Sequence, residues 1–181
     1  PYMETDNKLL NDAYRIAAGD IVGNIVYYQN GLLTEEKPCM IAGLDYNTPW
    51  TRDTAINIWN ALSILSPEVS KNTLLAVLEE EEGNIYIGGQ YWDSIIWMIG
   101  AREYCRFHKD DNFYRLAFEA GRNSVHRLEE DEFDEEDGLF RGPAVYGDGI
   151  AAYPDKYSKC PNQGSGILEW VDYPGNPVYP K

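Results

Sequence analysis

Asn47-Thr48-Pro49-Trp50-Thr51-Arg52-Asp53 leads from a proline-bearing turn straight into an unusually dry stretch. Between positions 55 and 65, Ala55, Ile56, Ile58, Trp59, Ala61, Leu62, Ile64 and Leu65 are interrupted only by Asn57, Asn60 and Ser63. A helix that is apolar on nearly every side belongs inside a layer of other helices, because a surface helix keeps one wet face. Gly88-Gly89-Gln90-Tyr91-Trp92-Asp93 repeats the arrangement, running into Ile95, Ile96, Trp97, Met98, Ile99, Gly100 and Ala101. Both loops end in Trp plus Asp at the mouth of a helix expected to be buried all round.

Around these two dry helices, spanning roughly 52–65 and 92–108, the sequence places wetter ones. The first runs over about 6–29, with Asp6 as N-cap, a face of Leu9, Leu10, Ala13, Ala17, Ile21, Ile25 and Tyr28, and Asn30-Gly31 as its stop. Ser66-Pro67-Glu68 reads as N-cap, first-turn proline and first-turn acid for a helix over about 67–79. The last, about 112–130, carries Phe113, Leu116, Ala117, Ala120 and Leu128 on one side and Arg115, Glu119, Arg122 and Arg127 on the other. Ile85-Tyr86-Ile87 is a short strand-like piece inside the connecting loop 83–89. Alternating half-wet and dry helices joined as antiparallel hairpins predict an all-α fold, part of a two-layer ring of outer and inner helices with long edge loops. Five helices do not close a ring. Residues 131–181, holding six of the ten prolines, read as an edge loop and an irregular tail, so 1–181 is expected to be an incomplete domain whose inner helices pair with a further piece.

Composition narrows the partners. Lys and Arg number 15 against 30 Asp and Glu, a formal charge of −15 with pI near 4.4, which disfavours nucleic acid and anionic membranes. The acids cluster in Glu79 to Glu82 and Glu129 to Asp137, most simply solvated helix ends and loops. Apolar residues make up 44% and aromatics 13%, a globular composition with Trp and Tyr to spare for stacking on sugars. Cys39, Cys105 and Cys160 fit neither a disulfide framework nor a zinc site. Asp134 to Gly138 fails as a calcium loop, because the ligand positions fall on Phe133 and Ala144. Phosphate-cradling glycine loops are missing, and no cofactor or metal is expected. No stretch approaches a membrane helix, and a chain opening on Pro1 leaves the compartment open, with secreted or periplasmic favoured over cytoplasmic.

Antiparallel alternation would put the starts of both inner helices at one end, so Trp50, Arg52, Asp53, Trp92 and Asp93 are expected to converge. The segment Asp137 to Gly149 would arrive at the same opening. Arg52 offers a planar donor fork and Asp53 an acceptor, a set suited to adjacent hydroxyls of one ring. Both acids also fit the plainer role of a first-turn carboxylate at a helix N-terminus, and both indoles could be core. Glycoside cleavage requires a pair of carboxyl groups. Asp148, between Gly147 and Gly149, is the first candidate, with Tyr146 and Arg141 placed to tune it; Asp137 before Gly138 is its competitor, and an ordinary Asp-Gly turn is the bland alternative. His108 and His126 adjoin no nucleophile motif and read as surface residues.

Pro49-Trp50-Thr51-Arg52-Asp53-Thr54-Ala55 resembles the aromatic-x-Arg-Asp-x-Ala opening of an inner helix in six-hairpin glycosidases. These are (α/α)6-barrel enzymes that include the glucoamylase-like, trehalase-like and processing α-glucosidase-like families. Tyr91-Trp92-Asp93-Ser94-Ile95-Ile96-Trp97 is similar to their second inner-helix start, and Asp137-Gly138-Leu139-Phe140 through Gly147-Asp148-Gly149 to the loop that brings in the acid. The resemblance implies a glycoside hydrolase portion removing a terminal sugar from an oligosaccharide or glycan, with an α linkage and inversion. It implies that Arg52 and Asp53 grip that sugar, Trp50 and Trp92 wall it, and Asp148 is the general acid. Such families place the base later, in a part of the barrel outside this sequence. A phosphorylase or lyase on the same ring is disfavoured because the edge supplies few basic residues for phosphate. A non-catalytic module that binds glycan or a partner protein is the alternative from another class.

Overall fold

The computed structural model describes residues 2–43, 45–89, 92–136 and 138–140. The chain divides into two compact units, Pro1–Val125 and His126–Lys181. Five helices and three two-stranded antiparallel sheets are present among the described residues. The expected all-α toroid is therefore corrected: hairpins interrupt the helical alternation at three places.

The first interruption follows helix α1, Lys8–Gly23, whose N-cap is Asn7 rather than Asp6: the Asn7 side chain accepts from the Leu10 N–H. The helix stops at Gly23 and not near residue 29, because Ile25-Val26-Tyr27-Tyr28 is a β-branched and aromatic run that prefers a pleated surface. Strand β1, Ile25–Tyr28, pairs with β2, Lys37–Met40, from Ile25 opposite Met40 to Tyr28 opposite Lys37. Helix α1 buries none of its residues; Leu9, Ile16 and Val22 stay exposed on it.

Helix α2 covers residues 51–65, made of Thr51–Asn57, a wider π turn over Ile58–Leu62 and a last turn Ser63–Leu65. Helix α3, Pro67–Ala76, ends about three residues earlier than its apolar pattern suggests, since Leu78 to Glu81 form strand β3 against β4, Asn84–Ile87. Glu82 and Gly83, both at positive φ, make the two-residue turn between them, the geometry that matches strand twist. The acidic run Glu79 to Glu82 is thus a strand and its turn rather than a helix end. Helix α4 is Asp93–Phe107 and helix α5 is Asp111–Glu132. Asp110 caps α5, its carboxylate accepting from Phe113 N–H at 3.0 Å while Lys71 holds its other oxygen at 2.5 Å. In the second unit, β5 (Phe133–Asp134) pairs with β6 (Leu139–Phe140), with the two phenyl rings 5.1 Å apart.

The core of the first unit gathers Ile58 and Leu62 of α2, Leu74 of α3, Trp97 and Tyr104 of α4, Phe113 and Ala120 of α5, and Leu78 and Ile87 of the hairpin. Trp97 is fully buried and donates its indole N–H to the Leu74 carbonyl at 3.3 Å, which satisfies its one polar atom. Helices α2 and α4 lie side by side and run the same way. Arg52 meets Asp93 at their starts, Gly100 lies against Ala55 in the middle, and His108 Nε2 donates to the Ser63 carbonyl at 2.6 Å at their ends. Helix α3 runs back antiparallel to them, since Gly88 beyond its far end accepts from Thr51 at the start of α2. Neither α2 nor α4 is dry all round: Ile56, Trp59 and Ile64 on one, and Ile95 and Ile99 on the other, face solvent. The π turn adds an extra residue to the helix, and Trp59 and Asn60 lie on its outer side. Among the described residues no helix is long and apolar enough to cross a membrane.

Candidate functional site

Trp50 is the N-cap of α2 and Trp92 the N-cap of α4, so the two similar loops deliver their indoles to equivalent helical positions. Asp53 and Asp93 each fall in the first helical turn, where exposed N–H groups and the helix dipole favour negative charge. The parallel course of α2 and α4 brings those turns together. Arg52 Nη1 donates to Asp93 Oδ1 at 2.6 Å, and Thr51 Oγ1 donates to the Gly88 carbonyl at 2.9 Å. The two loops are tied directly to each other. Sequence reasoning joined Arg52 to its neighbour Asp53; its partner in the structure lies 41 positions on, at the other junction.

The pair is asymmetric. Asp93 is 1% exposed, whereas the Arg52 side chain is 23% exposed, so the carboxylate is anchored inside and the guanidinium reaches outward. One Nη group is engaged, and the planar fork carries further N–H groups that can face a ligand. Its carbon also sits 5.8 Å from the centre of the Trp50 ring, within the range of a cation–π contact. Tyr46 meets the same indole edge-on at 6.2 Å. Asp53 is half-buried, and burial pushes its carboxyl above the ordinary carboxylate range. A hydrogen bond from its own backbone N–H and the charge of Arg52 oppose that rise, while the charge of Asp93 adds to it. Asp93 is thus buried and ion-paired with Arg52, whereas Asp53 is more readily protonated than an ordinary carboxyl.

Gly89 lets these loops close. Its φ is +113°, a region that L side chains rarely adopt, and a Cβ there would lie 2.6 Å from Asp93 Oδ2 and 2.8 Å from Thr51 Oγ1. Beside it, a cavity of about 200 Å³ opens between Trp50, Thr48, Asn30, Glu79, Gly88 and Gly89. Thr48 Oγ1 lies 2.8 Å from the Tyr28 hydroxyl on β1. The Asn30 amide is oriented by donating to the Ala76 carbonyl at the end of α3. Trp50 Nε1 is buried with no hydrogen-bond partner among the described residues. Trp92 is not among the residues that line this space.

Sequence reasoning missed Asn30, Thr48 and Glu79. Asn30 read as a helix stop, and Glu79 as one solvated acid in a run of four. The alternation of β3 was the available signal: position 79 pairs with Tyr86, two residues before Gly88. Asp137, Arg141, Tyr146 and Asp148, along with Gln90 and Tyr91, lie outside the described residues. No family model, no curated protein and no solved structure matches this chain.

Proposed function

We propose that the paired starts of α2 and α4 are the sugar-holding part of a glycoside hydrolase acting on a terminal sugar of an oligosaccharide or glycan. The observation that carries the reading is the 2.6 Å bond between Arg52 and Asp93, which joins the two Trp-Asp loops at one place. Around it stand an indole, a guanidinium with free donors and a half-buried carboxyl. That set serves a neutral polyol: the ring face stacks on Trp50, hydroxyls accept from Arg52, and Asp53 accepts or shares a proton. A hydrolase of this kind needs two carboxyl groups, one that donates a proton to the leaving oxygen and one that activates water or attacks directly. The proton donor is assigned to Asp148, on the strength of its two flanking glycines and the resemblance of its loop. The exposed Ile56, Trp59, Ile64, Ile95 and Ile99 support the expectation that α2 and α4 meet further protein.

The test is hydrolysis of a panel of α-linked glucosides by the full protein, followed by Arg52→Ala and Asp148→Asn. Turnover that falls by orders of magnitude in both variants supports the reading. Turnover equal to wild type in Asp148→Asn removes that residue from the chemistry. Saccharide binding without turnover in any preparation leaves a glycan-binding module, the reading favoured by the one observation that Asp93 is committed to Arg52.

A further inference from the structure

We infer that the cavity behind Trp50 is a monosaccharide subsite for a neutral pyranose, with the Glu79 carboxylate accepting from its hydroxyls. The inference rests on the saccharide reading above and adds to it a place, a size and a residue that the Trp-Asp loops do not contain.

Size comes first. Ligand pockets for drug-sized molecules span roughly 300 to 1,000 Å³, and the cavity of about 200 Å³ is on the scale of a single ring. Its walls are fixed. A Cβ on Gly88 would come within 2.5 Å of Glu79 Oε1 and 2.8 Å of the Val77 carbonyl, so Glu79 folds over bare backbone at that wall. Gly89 is held equally close to Thr51 and Asp93.

Chemistry then selects the ligand. The described lining holds one carboxylate, two hydroxyls, one amide and one indole, and no Lys, Arg or His. An anion would meet the Glu79 carboxylate, and the one cation nearby, Arg52, is already neutralised by Asp93, so phosphorylated sugars are disfavoured. A cationic ligand has the carboxylate and the aromatic ring to attract it. The guanidinium of Arg52 already occupies the cation–π position on that ring at 5.8 Å, however. A neutral polyol suffers neither penalty. It gives hydroxyl protons to Glu79, offers hydroxyl oxygens and protons to Thr48 and Asn30, and lays a ring face on the Trp50 indole.

The experiment titrates the full protein with D-glucose, with tetramethylammonium and with glucose 6-phosphate, reading binding by calorimetry and by ligand-observed NMR. The variants are Glu79→Gln, Thr48→Val, Arg52→Ala and, as a control on the same strand, Glu80→Gln. Glu79 is exposed, so its replacement leaves the fold intact, and an unchanged circular dichroism spectrum checks this. The expected result is binding of glucose alone, weakened at least tenfold by Glu79→Gln and several-fold by Thr48→Val, with Glu80→Gln unchanged. Tetramethylammonium or glucose 6-phosphate binding more tightly than glucose overturns the inference. So does glucose binding that is lost in Arg52→Ala yet unaltered in Glu79→Gln and Thr48→Val; in that case the saccharide reading stands and only the cavity assignment falls. A wild-type protein that binds no saccharide removes both.

Discussion

The loop before α2 and the loop before α4 look like copies, yet they do different work. In the first, the indole of Trp50 lines a cavity and Asp53 stays half-buried in the turn that follows. In the second, the cavity is lined by the bare backbone of Gly88 and Gly89, and Asp93 is sealed at 1% exposure against Arg52. One junction presents its groups; the other fixes them in place. Two acids in the first turns of neighbouring helices, third residue in one and first in the other, thus divide into a structural anchor and a group available to a ligand. Position in the first turn gives both a favourable dipole, and it is the partner across the interface that separates them.

Breaking the anchor should produce the largest effect. Asp93→Ala removes a buried carboxylate and leaves Arg52 unpaired, a change that costs about 3–5 kcal/mol for fully buried pairs. Because Arg52 reaches solvent, a loss of about 2–3 kcal/mol is expected, read as a lower midpoint in urea, together with loss of saccharide binding. A variant with wild-type stability would contradict the anchoring role.

Next comes the helix contact that keeps the junctions in register. A Cβ on Gly100 would lie 2.8 Å from the Ala55 Cα, so Gly100→Leu must push α2 from α4. Overpacking of this kind costs about 1–3 kcal/mol. The expected signature is that the Arg52→Ala effect on binding shrinks in the Gly100→Leu background, because the pair is already separated.

The opposite junction sharpens the contrast in sign. The folded state raises the Asp53 carboxyl above its unfolded value, so the folded protein holds the proton more firmly. That contribution is present below the unfolded pKa and is lost as pH rises through the folded one. Asp53→Asn is therefore expected to raise Tm at neutral pH, with the gain shrinking on acidification through the weakly acidic range, while weakening saccharide binding. Thermal scans from pH 4 to 7 check it, and a destabilised Asp53→Asn at pH 7 would make Asp53 a second anchor.

The smallest effect lies in the hairpin that positions Glu79 and Gly88. Glu82 occupies the left-handed region at φ 52°, which penalises ordinary side chains by about 1–2 kcal/mol and Asn or Gly much less. Glu82→Gly is expected to stabilise by a few tenths to about 1 kcal/mol, which for a chain of this size is a Tm gain of about 1–4 °C. Glucose affinity should not change.

Several of these relations were legible in the sequence and others were not. The apolar runs after Asp53 and Asp93 mark two helices and place both Trp-Asp turns at their starts, since a 3.6-residue period survives in residue order alone. The dryness of those helices misleads, because Ile56, Trp59, Ile64, Ile95 and Ile99 meet solvent among the described residues, and periodicity cannot tell a buried face from an uncovered one. The continuation of α1 past Gly23 fails for a local reason: Ile25 to Tyr28 have both helical spacing and strong strand preference, and pairing with Lys37 to Met40 decides between them. The Arg52–Asp93 bond depends on α2 and α4 running parallel around a returning α3, a tertiary fact that no window of sequence contains. Glu79 was hidden by its acidic neighbours, since only strand pairing sorts alternate residues to one side.

The most direct test is a crystal of the full protein soaked with glucose and with maltose. A pyranose ring packed against Trp50, with hydroxyls within hydrogen-bonding distance of Arg52 or Asp53, is the predicted result. Saccharide found only on surfaces remote from positions 50 and 93, or no bound sugar at saturating concentration, would contradict the account.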